Sequence, residues 1–307
     1  MSELVDGLVP DPYAFDPTAP LRASGNLRRR QLVSRMLVLG AVAAAVIAVA
    51  SLLLVTYGVA SHGASALSFA FVFHNASGFA GGGIAAELVG TAAIVVVGAL
   101  IAVPIGILIA IYLSEFAGPR SRLGQGVRVM LDLMQGLPTI IVGLFVFGLL
   151  VNHHHTSGFA GAVALSIVML PLIARSSYEV LRLVPGGLRD AADALGVARW
   201  RSVLGVILPA ALPGIVTGVI LALARAAGET APLLLCSDVF NAGQTTINVF
   251  GVGMPNIPIL ILESSEQASP QGLDRAWGAA FALLGLILLA NIGARMLLAR
   301  SRKRLGT

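Results

Sequence analysis

Charge-free apolar runs separated by polar stretches set the pattern of this chain. The first, residues 36–57, holds 22 residues without a charge, enough for a helix to cross roughly 30 Å of hydrocarbon. Gly58-Val59-Ala60 after it has the small-x-small form of a signal cleavage site. A signal peptide's apolar region is only about 7–15 residues, however, and this run is longer and begins later. It predicts an anchor that stays. Five more runs follow at about 88–113, 129–151, 159–174, 207–234 and 277–299. The fourth is short, and the fifth is overlong and contains Arg225 and Glu229. The pattern predicts an all-α integral membrane protein with six transmembrane helices. Residues 1–34, polar and broken by Pro10, Pro12, Pro17 and Pro20, predict a disordered tail. Residues 35–299 then form the membrane domain, and 300–307 a second short tail.

Composition agrees with the pattern. Of 307 residues, 57% are hydrophobic and 11% charged, against roughly 25% charged in an ordinary soluble domain. Mean hydropathy is +0.89. That excludes a soluble α/β enzyme, and the lone Cys236 excludes a disulfide-rich secreted scaffold. A net charge of +5 points to nucleic acid in a soluble protein, but here the positive residues flank the apolar runs. Arg22, Arg28, Arg29, Arg30 and Arg35 precede the first, and Arg120, Arg122 and Arg128 lie between the second and third. Arg175, Arg182, Arg189, Arg199 and Arg201 separate the fourth from the fifth, and Arg295, Arg300, Arg302, Lys303 and Arg304 close the chain. In a six-span layout these all fall on one side, which makes both termini cytoplasmic. Only Arg225 and Arg275 do not fit. The opposite segment 59–87 has no Lys or Arg, and 235–276 is rich in Gly, Pro and Asn.

The stretch Asp190-Ala191-Ala192-Asp193-Ala194-Leu195-Gly196 then carries the chemistry on the positive side, leading through Trp200 to Val206-Ile207-Leu208-Pro209. The alanines favour helix and leave one face flat enough to seat in a partner's groove. Gly196 allows a left-handed end and a sharp turn, and Pro209 suits the start of the next span. The reading is a short cytoplasmic helix, about 188–200, between two spans. Acidic-Ala-Ala-x-x-x-Gly followed by aliphatic-x-Leu-Pro resembles the ATPase-coupling motif of ABC importer permeases. Asp190 and Val206 stand where that family has Glu and Ile. By this resemblance Asp190, Ala191, Ala192, Gly196, Leu208 and Pro209 are the coupling residues.

A second segment narrows the resemblance. Ala224-Arg225-Ala226-Ala227-Gly228-Glu229-Thr230-Ala231-Pro232-Leu233 is similar to a segment of phosphate importer permeases, in its Ala-Pro-Leu continuation to their A-type subunit. Gly82-Gly83-Ile84, Leu88-Val89-Gly90-Thr91, Tyr112-Leu113-Ser114-Glu115, Gly136 to Phe145 and Met169-Leu170-Pro171 resemble the same family. The match runs from about Gly82 to the C-terminus and implies a type I permease core at about 85–295. It also implies a plasma-membrane complex with a second, C-type phosphate permease, two cytoplasmic ATPase subunits and an external phosphate-binding protein. No cofactor belongs to the chain itself, since ATP is used by the partners. Membrane lipids surround it and no nucleic acid is involved.

Arg225 and Glu229, four residues apart, fall on one helical face, close enough to pair. Charge inside a bilayer is costly and defaults to function. As a clamp the pair neutralises itself; as a pathway element Arg225 offers a fork of donors to a tetrahedral oxyanion. An arginine at the place of Arg175 is functionally important in the resembled family, which adds it to the pathway. Asp132 is expected to pair with Arg128 one turn earlier, and Gln135 with Pro138 to make a polar, kinked stretch lining a cavity. His153-His154-His155 reads as solvated loop. There is no Walker A pattern, and the only Lys is Lys303, so the chain reads as a transport subunit rather than an enzyme. Two alternatives stand: a permease for another oxyanion such as sulfate or molybdate, and a non-conducting signalling or scaffold subunit.

Overall fold

The computed structural model describes residues 27–304, apart from 76–81, 119, 153–154, 238–247, 252 and 268. It falls into two compact units, Met1–Tyr57 and Gly58–Thr307. The first holds most of α1 (Leu27–Gly63), whose apolar run has no polar stripe, as suits a helix surrounded by lipid. α1 begins inside the expected N-terminal tail, and residues 1–26 of that tail lie outside the described residues.

The second unit is built on α3 (Ala85–Ile111) and α6 (Gly158–Arg182), which pack along their lengths. Small residues permit this. A β-carbon on Gly98 would lie 2.9 Å from the Ala162 carbonyl oxygen, and one on Gly106 would lie 2.8 Å from Ile173 Cγ2. In lipid, where burial of apolar groups gives helices no reason to associate, such close approach is a main source of attraction. Ile94, Leu165, Met169 and Ile173 fill the seam and are almost wholly buried. A second core of Leu181, Val203, Ile207 and Ile215 joins the end of α6 to α9 (Leu208–Ala226). The remaining elements are α2 (Phe69–Phe73), α4 (Arg122–Gly136), α5 (Thr139–Val146), α7 (Gly186–Ala194), α8 (Arg199–Ser202), α10 (Ala231–Cys236), α11 (Ile257–Glu266) and α12 (Pro270–Arg304). α12 runs into the expected C-terminal tail, of which 305–307 lie outside the described residues.

Among the described residues, five helices are long and apolar enough to cross a membrane, or six if the bent pair α4–α5 is one span. The fold is all-α, as expected, but three spans depart from the hydropathy pattern. The third is broken: Arg122–Gly136 and Thr139–Val151 meet at 101°. Pro138, with ψ at 130°, ends one helix and starts the next, because a proline disfavours helical backbone at the preceding Leu137. The fourth is longer than its apolar run and reaches Arg182, since Ser177 is buried and carries the helix past Arg175. The fifth ends at Ala226 instead of residue 234, and a turn over 227–230 separates it from α10. Pro209 does not open that span either. Helix already begins at Arg199, and a π-turn, Val203–Ile207, precedes the proline. Gly205 is the i−4 residue whose carbonyl the ring would strike in a regular helix, and it sits inside that wider turn.

Candidate functional site

Arg225 lies one residue from the C-terminal end of α9, where the helix dipole favours a cation. Beyond it the chain turns through hydrogen bonds from Gly228 N to Arg225 O and from Glu229 N to Ala226 O, 3.1 Å each. Glu229 therefore sits in a turn and not one helical turn further along α9. The two side chains still face each other, with Arg225 Nε 3.6 Å from Glu229 Oε1. That is too long for a good hydrogen bond, and the Arg225 side chain is 65% exposed. The guanidinium fork is held loosely and left open.

It opens on a cavity of about 130 Å³ lined by Gln135, Thr139, Val142, Pro171, Leu172 and Arg225. The break at Pro138 exposes the first turn of α5 there, a helix start whose preceding Pro138 provides no side-chain cap. Gln135 reaches across and donates to the Pro171 carbonyl at 3.4 Å. The expected kinked stretch thus lines a cavity, through Gln135, Leu137 and Thr139, although most of the other walls are apolar. Arg175 is not among its lining residues. Arg175 Nη1 donates to Asp132 Oδ1 at 2.8 Å, and its Nε lies 3.6 Å from Glu179. The expected Asp132–Arg128 pair is not formed: Arg128 lies over the Tyr178 ring, with Arg182 also near that ring. The i,i+4 spacing along one helix lost to a shorter contact across two.

The second group of residues centres on α7, where Asp190 and Ala191 are exposed and Ala192 is buried. The helix ends in a Schellman turn: Gly196 N bonds to Asp193 O at 3.0 Å and Val197 N to Ala192 O at 3.1 Å. Gly196 has φ +67°, the left-handed conformation that motif needs. Leu183, Leu188, Leu195 and Trp200 stand exposed around the helix. Leu208 and Pro209 lie beyond, at the start of α9.

Sequence reasoning missed the buried charges that hold α7. Glu115 lies in a π-turn, Tyr112–Phe116, that extends α3, and its side chain is 0% exposed. Arg189 of α7 donates to both of its oxygens, at 2.8 Å to Oε1 and 3.2 Å to Oε2. Arg199 adds a contact at 3.4 Å and the Ser114 hydroxyl one at 2.7 Å. Hydrogen bonding to Glu115 holds the Arg189 guanidinium above its ordinary pKa. In the sequence Arg189 reads only as a topology charge. The available signal was an acid closing an apolar run. A second buried pair accounts for Arg275, one of the two exceptions to the charge pattern: Nη2 lies 3.4 Å from Glu87 Oε1 and donates to Gly83 O at 3.2 Å. His153 and His154 lie outside the described residues. No group of metal-ligating side chains occurs among the described residues.

A core of small-residue helix packing, several long apolar helices and a short helix held outside them define a polytopic membrane protein. The chain belongs to the binding-protein-dependent transport system inner membrane component family, whose model matches residues 102–303. It is 36% identical over 228 residues to the phosphate transport system permease protein PstA 1 of Mycobacterium tuberculosis, covering 73% of each chain. It is 35% identical to PstA of Yersinia pestis, over 73% of this chain and 75% of that one. Identity with PstA of Haemophilus influenzae is 37%, over 70% of this chain and 75% of that one. The fold is similar to that of the inward-facing MetNI methionine ABC transporter, with a TM-score of 0.56 at 19% identity, over 71% of this chain and 94% of that one. The protein is a multi-pass inner-membrane component.

Proposed function

We propose that this chain is a membrane-spanning permease subunit of an ATP-driven phosphate importer and forms half of the translocation pathway for inorganic phosphate. The observation that carries the reading is the open Arg225 fork at the cavity, in a chain about 36% identical to phosphate permeases. A guanidinium presents paired donors suited to a tetrahedral oxyanion. The loosely held Glu229 keeps the fork oriented and yields it when an anion arrives. Arg175, with Asp132 against it, is a second anion step at another depth. Such steps must bind well enough to admit the ion and weakly enough to release it.

The C-type permease faces this chain across the pathway, and an external phosphate-binding protein delivers substrate. Two ATPase subunits dock on the coupling helices, α7 in this chain, with Asp190, Ala191 and Gly196 in contact, Ala192 buried behind them, and Leu208-Pro209 inside the span that moves. The flat alanine face and the exposed Leu188, Leu195 and Trp200 suit a partner's groove. Both termini are cytoplasmic in this reading, which the placement of positive residues along a six-span chain supports. Phosphate uptake by the reconstituted complex, with excess sulfate or molybdate as competitor, tests the reading. Competition by phosphate alone is expected, and equal competition by sulfate or molybdate sinks the assignment to phosphate.

A further inference from the structure

α7 carries one side chain, Arg189, that reaches to the ends of the membrane helices, and its contacts join three helices. Arg189 Nη2 donates to the Leu181 carbonyl and Nη1 to the Val184 carbonyl, at 2.8 and 2.7 Å, capping the open end of α6. The same guanidinium grips the wholly buried Glu115 at the end of α3. Arg199, at the start of the α8–α9 span, holds the other side of that carboxylate and also bonds Asp193 of α7 at 3.2 Å. A buried carboxylate stripped of its cations is strongly unfavourable, so these ends do not separate independently. α6 is the helix packed against α3 through Gly98 and Gly106, and it carries Pro171 on the Arg225 cavity.

We propose that Glu115 is the positioning residue that converts movement of α7 into movement of the membrane helices, by tying Arg189 and Arg199 to the ends of α3, α6 and α9. It touches no substrate. The π-turn that carries it, Tyr112–Phe116, is the kind of local widening that recurs at functional sites. This inference rests on the reading of α7 as the ATPase docking helix.

The test is made on the whole complex in proteoliposomes, measuring ATP hydrolysed and phosphate imported together. Glu115→Gln keeps the shape and removes the charge. Complexes are expected to assemble and hydrolyse ATP while uptake falls about tenfold, within the range by which residues remote from both ligands change coupling. Arg189→Lys keeps the charge but loses the fork, and it is expected to raise ATP used per phosphate by a smaller factor. Glu115→Asp, with the charge kept, is expected to restore part of the uptake. If Glu115→Gln does not assemble, the Arg189→Lys and Glu115→Asp ratios decide. Hydrolysis and uptake falling in parallel, or an unchanged ratio in both, overturns the proposal. Ala191→Trp, on the exposed face of α7, tests the underlying reading separately. It is expected to strip the ATPase from the purified complex, and normal co-purification shows that α7 is not the docking helix.

Discussion

Arg175 meets Asp132 at 2.8 Å and so joins the later half of α6 to α4, the first arm of the broken span. Both side chains are about half exposed, and such a pair contributes only about 0–1 kcal/mol to stability. Its geometry matters more than its strength, because the carboxylate occupies the fork that an anion needs. Asp132→Asn is therefore expected to leave expression and assembly unchanged while phosphate uptake saturates at lower concentration and at a lower maximal rate, since a freed Arg175 holds the anion longer. An unchanged concentration dependence would mean that Arg175 is an ordinary surface arginine.

Gly196 allows a cleaner test, because a β-carbon there meets nothing within 4 Å and only the backbone is at issue. At φ +67° a side chain other than Asn or Asp costs roughly 1–2 kcal/mol. Gly196→Leu is expected to uncouple ATP hydrolysis from uptake without loss of membrane insertion, and Gly196→Asn to retain coupling. Equal behaviour of the two variants argues that the turn is not what transmits the motion.

The α3–α6 seam predicts a contrast between glycines. Gly98→Ala drives a methyl to 2.9 Å from a backbone oxygen that cannot step aside, and overpacking of this kind costs typically about 1–3 kcal/mol. Gly126, on α4, has open space around it, so Gly126→Ala gains helix propensity of up to about 1 kcal/mol. Thermal melting of the detergent-purified complex is expected to fall for the first and to hold or rise for the second. A matched fall in both would show that the seam is not tightly packed.

Hydropathy located the long apolar stretches because lipid demands them, but not the break at Pro138, and Gly196 was legible because few residues tolerate its backbone. Span edges were less legible. Ser177 and Arg175 look like an end of membrane, yet packing against neighbouring helices keeps α6 going to Arg182. The ion pairs were hardest. Asp132 and Arg128 have the right spacing on one helix, but Arg175 comes closer from another, which no local pattern reveals. Glu115 and Arg189 lie 74 positions apart and meet only after the chain has crossed and returned. Local periodicity carries no information about such partners.

The clamp and pathway readings of Arg225 and Glu229 separate in their variants. At 3.6 Å, with Arg225 65% exposed, the pair is too open to act mainly as a clamp. If it nevertheless did, replacing both residues by Leu and Gln would be tolerated, since apolar substitutes for paired charges are often neutral. Either single variant would then do worse than the double. The pathway reading predicts the reverse: the double variant inserts and assembles normally and fails to transport. Arg225→Lys sharpens the distinction, because lysine keeps the charge for Glu229 but loses the paired donors that fit an oxyanion. Uptake is expected to drop in Arg225→Lys almost as far as in Arg225→Leu, with co-purification of the partner subunits unchanged. Radiolabelled phosphate uptake at matched expression gives the comparison. Full uptake in the double variant would remove Arg225 from the pathway and move the anion step to Arg175 or to the partner permease.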